Sequence, residues 1–307
     1  MPKPVRDIRL RRGMSTADLV RGFSSAGGFT AAHLAAAADI LKRMLRDKGC
    51  TKFLSFPGCI VATGTRGVIA QMLKERMVDV VITTCGAVDH DLARIWKDYY
   101  HGSFDMNDIE LRRKGVCRLG NVLIPNESYG TVIESRMRPF LEELWDAGMR
   151  RPGTKELLWA LGSRFQDKGS ILYWAWKNQI PIYVPGITDG AVGSQLWLFS
   201  QERKDLCIDL LKDERELAEI IFNSVRTGAL VVGGGISKHH TIWWNQFRDG
   251  LDYAIYISTA VEYDGSLSGA RTHEAISWGK ISERARHVNV EGDATILLPL
   301  LVAAVMD

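Results

Sequence analysis

A chain of 307 residues, 46% of them hydrophobic, can bury one large core or two modest ones. Charged residues make up 24% and the formal net charge is +3, and this balance, with no Lys/Arg block, argues against a nucleic-acid partner. The basic start from Met1 to Ser15 leads into no signal-type apolar core, and the longest apolar run, ATILLPLLVAAVM, is too short for a bilayer and contains Pro299. A soluble, cytoplasmic protein with no membrane partner is expected.

Taken in chain order, residues 28–49 have the spacing of one amphipathic helix with Thr30 as its cap. KFLSF predicts a short strand, and TRGVIAQMLKERM a helix with Val68, Ile69, Met72 and Leu73 on one face. VDVVITT is a continuous apolar strand of the kind buried on both faces, and DHDLARIWKDYY is the next helix. From about residue 100 to 179 the rhythm changes to helices, as in GTVIESRMRPFLEELWDAG and KELLWALGSRFQ. Strands return at IPIYVPG, LCIDLL, ALVVGGG, YAIYIS and HVNVEG, separated by helical stretches such as DERELAEIIFNSVRTG, and ATILLPLLVAAVM reads as a buried terminal helix. The expected fold is α/β: a doubly wound, mainly parallel Rossmann-like sheet with helices on both faces, in a single domain over residues 1–307 with a helical insertion at about 100–179.

Five cysteines (Cys50, Cys59, Cys85, Cys117, Cys207) form no CxxC or Cys/His zinc spacing, so neither a disulfide framework nor a metal site is expected. Cys85 follows a strand, where it could line a site; the other four read as small buried residues. Ligands of open α/β sheets bind beyond the carboxyl ends of the strands. Five such turns here (PGCIVATG, TCGAVDHD, ITDGAVGS, GGGISKHH and TAVEYDGSLSGA) are rich in glycine, small hydroxyls and acids. Each alone is compatible with a tight turn; together they point to a nucleotide-sized pocket with a polar co-substrate. VVGGGISKHH allows a phosphate to approach a helix N-terminus, although it is not GxGxxG. His239 and His240 are adjacent, about 100° apart on a helix, and cannot chelate one metal.

The stretch EYDGSLSGARTHEAISWGK sets Glu262, Asp264 and Glu274 near Trp278 and Lys280. Acids beside an indole face make a receptor for an organic cation. A lysine among apolar neighbours is either an ordinary partly buried one or a nucleophile, which attacks a carbonyl or imine carbon only as the neutral amine that burial favours.

DGSLSGARTHEAISWGKI, VVGGGISKHH, ITDGAVGS, VDVVITTCGAVDHD and VEGDATILLPLLVA together resemble deoxyhypusine synthase, in its archaeal form. The likeness is strongest from Pro181 to the C-terminus and clear from about Ser55 to Tyr100. It implies an NAD-dependent transferase that moves the 4-aminobutyl group of spermidine onto one lysine of the translation initiation factor 5A precursor, working as a homotetramer. By resemblance Lys280 is the nucleophile and His239 the catalytic histidine. Asp89, His90, Ser194, Trp243, Asp264, Gly265, Ser266, Leu267, Glu274 and Trp278 match polyamine-pocket positions. Gly58, Cys59, Ile60, Val61, Ala62, Thr84, Cys85, Gly86, Asp189, Gly234, Thr259, Ala260, Asp293 and Ala294 match cofactor positions.

Some positions depart from the better-known eukaryotic pattern. Asp89-His90 stands for a Glu-Glu pair, Ser194 and Leu267 for aspartates, and Trp243 for asparagine. Fewer carboxylates then meet a tri-cationic amine, and Asp89, Asp91 and Glu262 are the acids that can replace them. Two other readings stay open: a homospermidine synthase-like transferase acting on a small amine, and a non-catalytic NAD-binding paralogue.

Overall fold

The structure, a computed structural model, describes residues 3–306; Met1 and Pro2 of the basic start, and Asp307, lie outside them. In chain order the elements begin α1 (Thr16–Ala26), α2 (Phe29–Arg46), β1 (Cys50–Ser55), α3 (Thr65–Lys74), β2 (Val80–Ile82) and α4 (Cys85–Trp96). Next come β3 (Tyr100–His101), α5 (Asp108–Arg113), β4 (Val116–Leu119), β5 (Val122–Pro125), α6 (Gly130–Asp146), α7 (Thr154–Arg164) and α8 (Ile171–Lys177). The last are β6 (Ile182–Tyr183), α9 (Ala191–Glu202), α10 (Leu210–Asn223), β7 (Arg226–Val232), α11 (Gly235–Asn245), β8 (Leu251–Ser258), α12 (Thr272–Ser277), β9 (Ile281–Glu291) and α13 (Ala294–Met306). The chain divides into two compact units. One holds the residues up to Phe56, Glu75–Ile82 and those from Glu216 onward; the other holds Pro57–Lys74 and Thr83–Arg215.

In the first unit β2, β1, β7, β8 and β9 lie side by side in that order, each parallel to its neighbour. The middle strands are buried almost throughout, which explains why they read as unbroken apolar runs rather than alternating ones. The chain leaves β1 for β2 on one side and returns through β7 on the other. The carboxyl ends of β1 and β7 are therefore the topological switch point, where α/β sheets place their ligands. Leu34, Ala37, Ala38, Leu41 and Met44 form the buried stripe of α2. A side chain on Gly228 of β7 would run into the Met44 sulfur, so the glycine lets α2 lie close on the sheet. Leu298, Leu301 and Val302 bury α13 in the same unit.

In the second unit, β3, β5 and β4 form a small antiparallel sheet within the stretch whose sequence suggested mainly helices. Its strands have two to four residues, too short for a period-two pattern to register. Helices α6 and α7 lie where their spacing predicted them.

Three local expectations are corrected. LCIDLL is not a strand: the Asp209 carboxylate accepts the Lys212 N–H (3.2 Å) and starts α10 instead. Thr30 does not cap α2, because the extended residue before the helix is Gly28 and Thr30 has already joined the first turn. Of the four cysteines read as buried, only Cys50 is; Cys59, Cys117 and Cys207 are exposed.

Candidate active site

The predicted nucleophile owes its position to a helix end. After α12 and Trp278, Gly279 takes the left-handed conformation at φ 66°. Its N–H donates to the Ile276 carbonyl (2.9 Å), and the Lys280 N–H donates to that of Ala275 (3.0 Å). This is a Schellman motif, in which the residue after the glycine packs against the helix's last turn. The Lys280 carbonyl then accepts from the Leu251 N–H at the start of β8 (3.1 Å). With its backbone fixed on both sides, Lys280 is only 8% exposed.

A cavity of about 150 Å³ lies beside it, with Lys238, Tyr256, Leu267, Glu274, Trp278 and Lys280 in its walls. The Lys280 Nζ is 5.1 Å from the ring centroid of Trp278 and 5.8 Å from that of Trp243, within cation–π range of both. The His239 ring is stacked on Trp243 at 5.6 Å and 23°. Burial, with the Lys280 charge adding to it, holds His239 below its ordinary pKa, so at neutral pH its imidazole is uncharged and can accept a proton. Glu274 is exposed on the cavity wall. Asp264 Oδ1 accepts the Ser266 N–H (2.6 Å), shaping the exposed turn that includes Gly265 at φ 68°. Lys280, Leu267, Glu274 and Trp278 thus share one cavity, and His239 and Trp243 are stacked next to the lysine.

Asp89, His90 and Ser194 belong to the other unit, and the first of them is fully engaged there. Asp89, 0% exposed, accepts the N–H groups of Ala191 and Val192 (both 2.8 Å) and the Tyr129 hydroxyl (2.8 Å). It caps α9 from a neighbouring helix, and desolvation raises its pKa in spite of those donors. Asp91 accepts Arg66 Nε (2.6 Å), Ser170 Oγ (2.6 Å) and the N–H groups of Ile171 and Leu172 (both 3.0 Å), capping α8. Glu262, in the first unit, is paired with Arg271 (2.9 Å). The acids expected to compensate for missing carboxylates therefore have partners already: two are buried structural caps and one is in a surface ion pair. His90 Nδ1 contacts the Tyr99 hydroxyl (2.9 Å), and burial pushes this imidazole down to about 4. Ser194 Oγ donates to the Gly190 carbonyl in the first turn of α9 (3.0 Å).

The candidate cofactor residues form a group within each unit. In the second, Gly58–Ala62 is a short 3-10 turn whose first residue touches backbone of α4: a Cβ on Gly58 would fall 2.7 Å from the Gly86 carbonyl carbon. Arg94 of α4 holds the same turn through the Val61 carbonyl (2.8 Å). Thr84 precedes α4 without capping it through its side chain. Gly190, next to Asp189, packs so closely on Cys85 that a Cβ there would come within 2.6 Å of the Cys85 sulfur. In the first unit, Gly234, Thr259, Ala260, Asp293 and Ala294 follow β7, β8 and β9, which are neighbours in the sheet. Asp293 Oδ1 accepts the Thr295 N–H (2.8 Å) at the start of α13.

Sequence reasoning passed over several cavity residues, Lys238 and Tyr256 among them. The signal for Lys238 was its helical spacing from Ile242, since the buried face of α11 consists of Ser237, Lys238, Thr241, Ile242 and Asn245. Among the described residues no helix is long and apolar enough to cross a membrane.

Comparison with known proteins identifies the family. The family model described as deoxyhypusine synthase matches residues 18–305. A probable deoxyhypusine synthase of Picrophilus torridus is 52% identical over 303 residues, covering 99% of this chain and 97% of the relative. One from Thermoplasma acidophilum is 53% identical with the same coverage. Among solved structures, a candidate deoxyhypusine synthase from Entamoeba histolytica has the same fold at TM-score 0.68 and 21% identity, with 98% of this chain and 96% of that one aligned. A match over nearly the full length, at about half of all positions in the relatives, shows that the chain belongs to the deoxyhypusine synthase family.

Proposed function

We propose that this family member catalyses the NAD-dependent transfer of the 4-aminobutyl group of spermidine to a lysine of the translation initiation factor 5A precursor. The observation that carries the reading is Lys280, 8% exposed, set between two indoles at the wall of a cavity shared with Glu274. Carboxylate and indole faces are what an alkylammonium chain requires. His239 accepts the proton released as the secondary amine is oxidised. The Lys280 amine then attacks the substrate imine carbon and 1,3-diaminopropane leaves. The aminobutyl group remains on Nζ as an imine until the acceptor lysine displaces it. Trp278 and Trp243 shield the lysine from water, and Glu274 with the Asp264–Ser266 turn receives the substrate's ammonium ends.

The residues fit a dinucleotide. Helices α4 and α11 both follow strands and begin without a side-chain cap, leaving first-turn N–H groups for phosphates. At the end of β1 the buried Ser55 Oγ has no hydrogen-bond partner among the described residues. By the family resemblance, the cofactor positions are Gly58–Ala62, Thr84–Gly86 and Asp189 in one unit and Gly234, Thr259, Ala260, Asp293 and Ala294 in the other. When bound, NAD supplies the hydride acceptor and later the hydride donor. A homotetramer working in the cytoplasm completes the proposal.

A specific observation favours a second reading, transfer to a small amine in the manner of a homospermidine synthase: Leu267 contributes an apolar side chain to the cavity wall, at a position where eukaryotic relatives have an acid. The test is incubation with NAD and labelled spermidine, plus either putrescine or the purified factor, with borohydride trapping and peptide mapping. The proposal expects label on Lys280 and on the factor. Label found only in homospermidine selects the second reading, and no adduct in the wild type rejects both. Lys280→Arg should bind NAD and form no adduct, because a guanidinium is not deprotonated.

A further inference from the structure

Two lysines border the cavity, and the second one has no part in the chemistry above. We infer that Lys238 is a positioning residue: its Nζ staples the loop of residues 265–271 to helix α11 and so sets the width of the polyamine pocket. Lys238 is 1% exposed. Its Nζ donates to the carbonyls of Leu267 and Ala270, both at 2.7 Å, and lies 4.2 Å from the Tyr256 ring centroid. Both bonds go to one short loop. That loop has the exposed Asp264–Ser266 turn at its start and leads into α12, which carries Glu274. The helix on the other side of the staple carries His239 and Trp243.

A second contact fixes the same pair of elements. A Cβ on Gly234, just before α11, would fall 2.1 Å from Ser268 Oγ, so backbone and loop touch there directly. The glycine brings the loop against the helix start, and Lys238 holds it one turn further along. Other features suit a fixed support rather than a second nucleophile. The N–H bonds of Lys238 are directed at carbonyls, and Tyr256 Oη, buried in the same wall, finds no hydrogen-bond partner among the described residues. Burial pushes the Lys238 ammonium down to about 8, while the nearby Glu274 carboxylate works in the opposite direction. A buried donor that satisfies two carbonyls costs more to remove than a surface one, because the carbonyls are left without partners.

The inference rests on the cavity being the polyamine site, and the experiment keeps the two questions apart. Hydrogen exchange of the 265–271 loop is measured on the full chain without ligands, for the wild type and Lys238→Met. Steady-state kinetics with spermidine, and the site of borohydride trapping, are measured on the same preparations. Expected for Lys238→Met is loop exchange faster by about tenfold, a spermidine KM raised about tenfold, kcat within about threefold, and the trapped group still on Lys280. Lys238→Gln keeps two N–H donors on a shorter arm and should fall between. Unchanged loop exchange overturns the inference, as does a loss confined to kcat or to thermal stability, or wild-type label on Lys238. If the wild type turns over no spermidine, the proposed function fails, and loop exchange alone decides on the staple.

Discussion

Asp91 separates two views of the acids on α4. If it received an amine, Asp91→Asn would raise KM and leave stability nearly unchanged. The geometry requires the reverse. The carboxylate is 1% exposed and accepts from Arg66, Ser170 and two amides of α8. Removing its charge leaves the Arg66 guanidinium, itself 8% exposed, without a counter-ion, a change that costs about 3–5 kcal/mol in buried pairs. Weakening the cap of α8 adds about 1 kcal/mol. A loss of about 5 kcal/mol is therefore expected in guanidinium unfolding at pH 7, with the spermidine KM within about twofold for the folded enzyme. Arg66→Met in the same chain should restore about 2 kcal/mol, since it removes the stranded charge. A loss under about 1 kcal/mol together with a raised KM would refute the structural assignment.

Further outcomes follow from the same geometry. The folded chain holds His90 at about 4, against an ordinary 6.5, so between those values the unfolded chain binds the proton that the folded chain refuses. Stability is intact above pH 6.5 and falls by up to about 3 kcal/mol as pH drops to 4; in a pH series of unfolding curves, His90→Phe should flatten that slope, and an unchanged slope contradicts it. Gly279→Ala places a side chain at φ 66° and should lower stability by about 1 kcal/mol while reducing the yield of trapped Lys280 adduct. Gly58→Ala meets the Gly86 and Ala87 backbone at 2.7 and 2.9 Å. Fluorescence titration should then give an NAD affinity lower by about tenfold in a folded protein, and unaltered affinity would remove the glycine turn from the cofactor site.

Strands β1, β2, β7 and β8 and their parallel pairing were legible because each is a largely buried apolar run followed by a turn of small residues, whereas the order of the strands was not. Lys280 was legible for a different reason: it is a lone lysine among Trp278, Gly279 and Ile281 in a stretch that resembles a family motif, while the helix end that turns its side chain inward was not legible. The duties of Asp89 and Asp91 were not legible. Their partners lie about a hundred and about eighty positions further along the chain, and an acid that caps a distant helix looks in sequence like any solvated acid. Lys238 was hidden by its neighbours, since a lysine beside two histidines suggests an exposed polar turn. Only its alignment with Ile242 and Asn245 on the inner face of α11 gives it away. The antiparallel strands β3–β5 left too few residues for any pattern.

The indoles that flank Lys280 are themselves open to water, Trp278 at 66% and Trp243 at 43% exposure. On the proposed function, an arriving polyamine chain has to lie against surfaces that are now hydrated, so the emission of these two residues should shift as the ligand displaces solvent. The proposed nucleophile thus carries a built-in optical gauge of occupancy, readable before any bond is made.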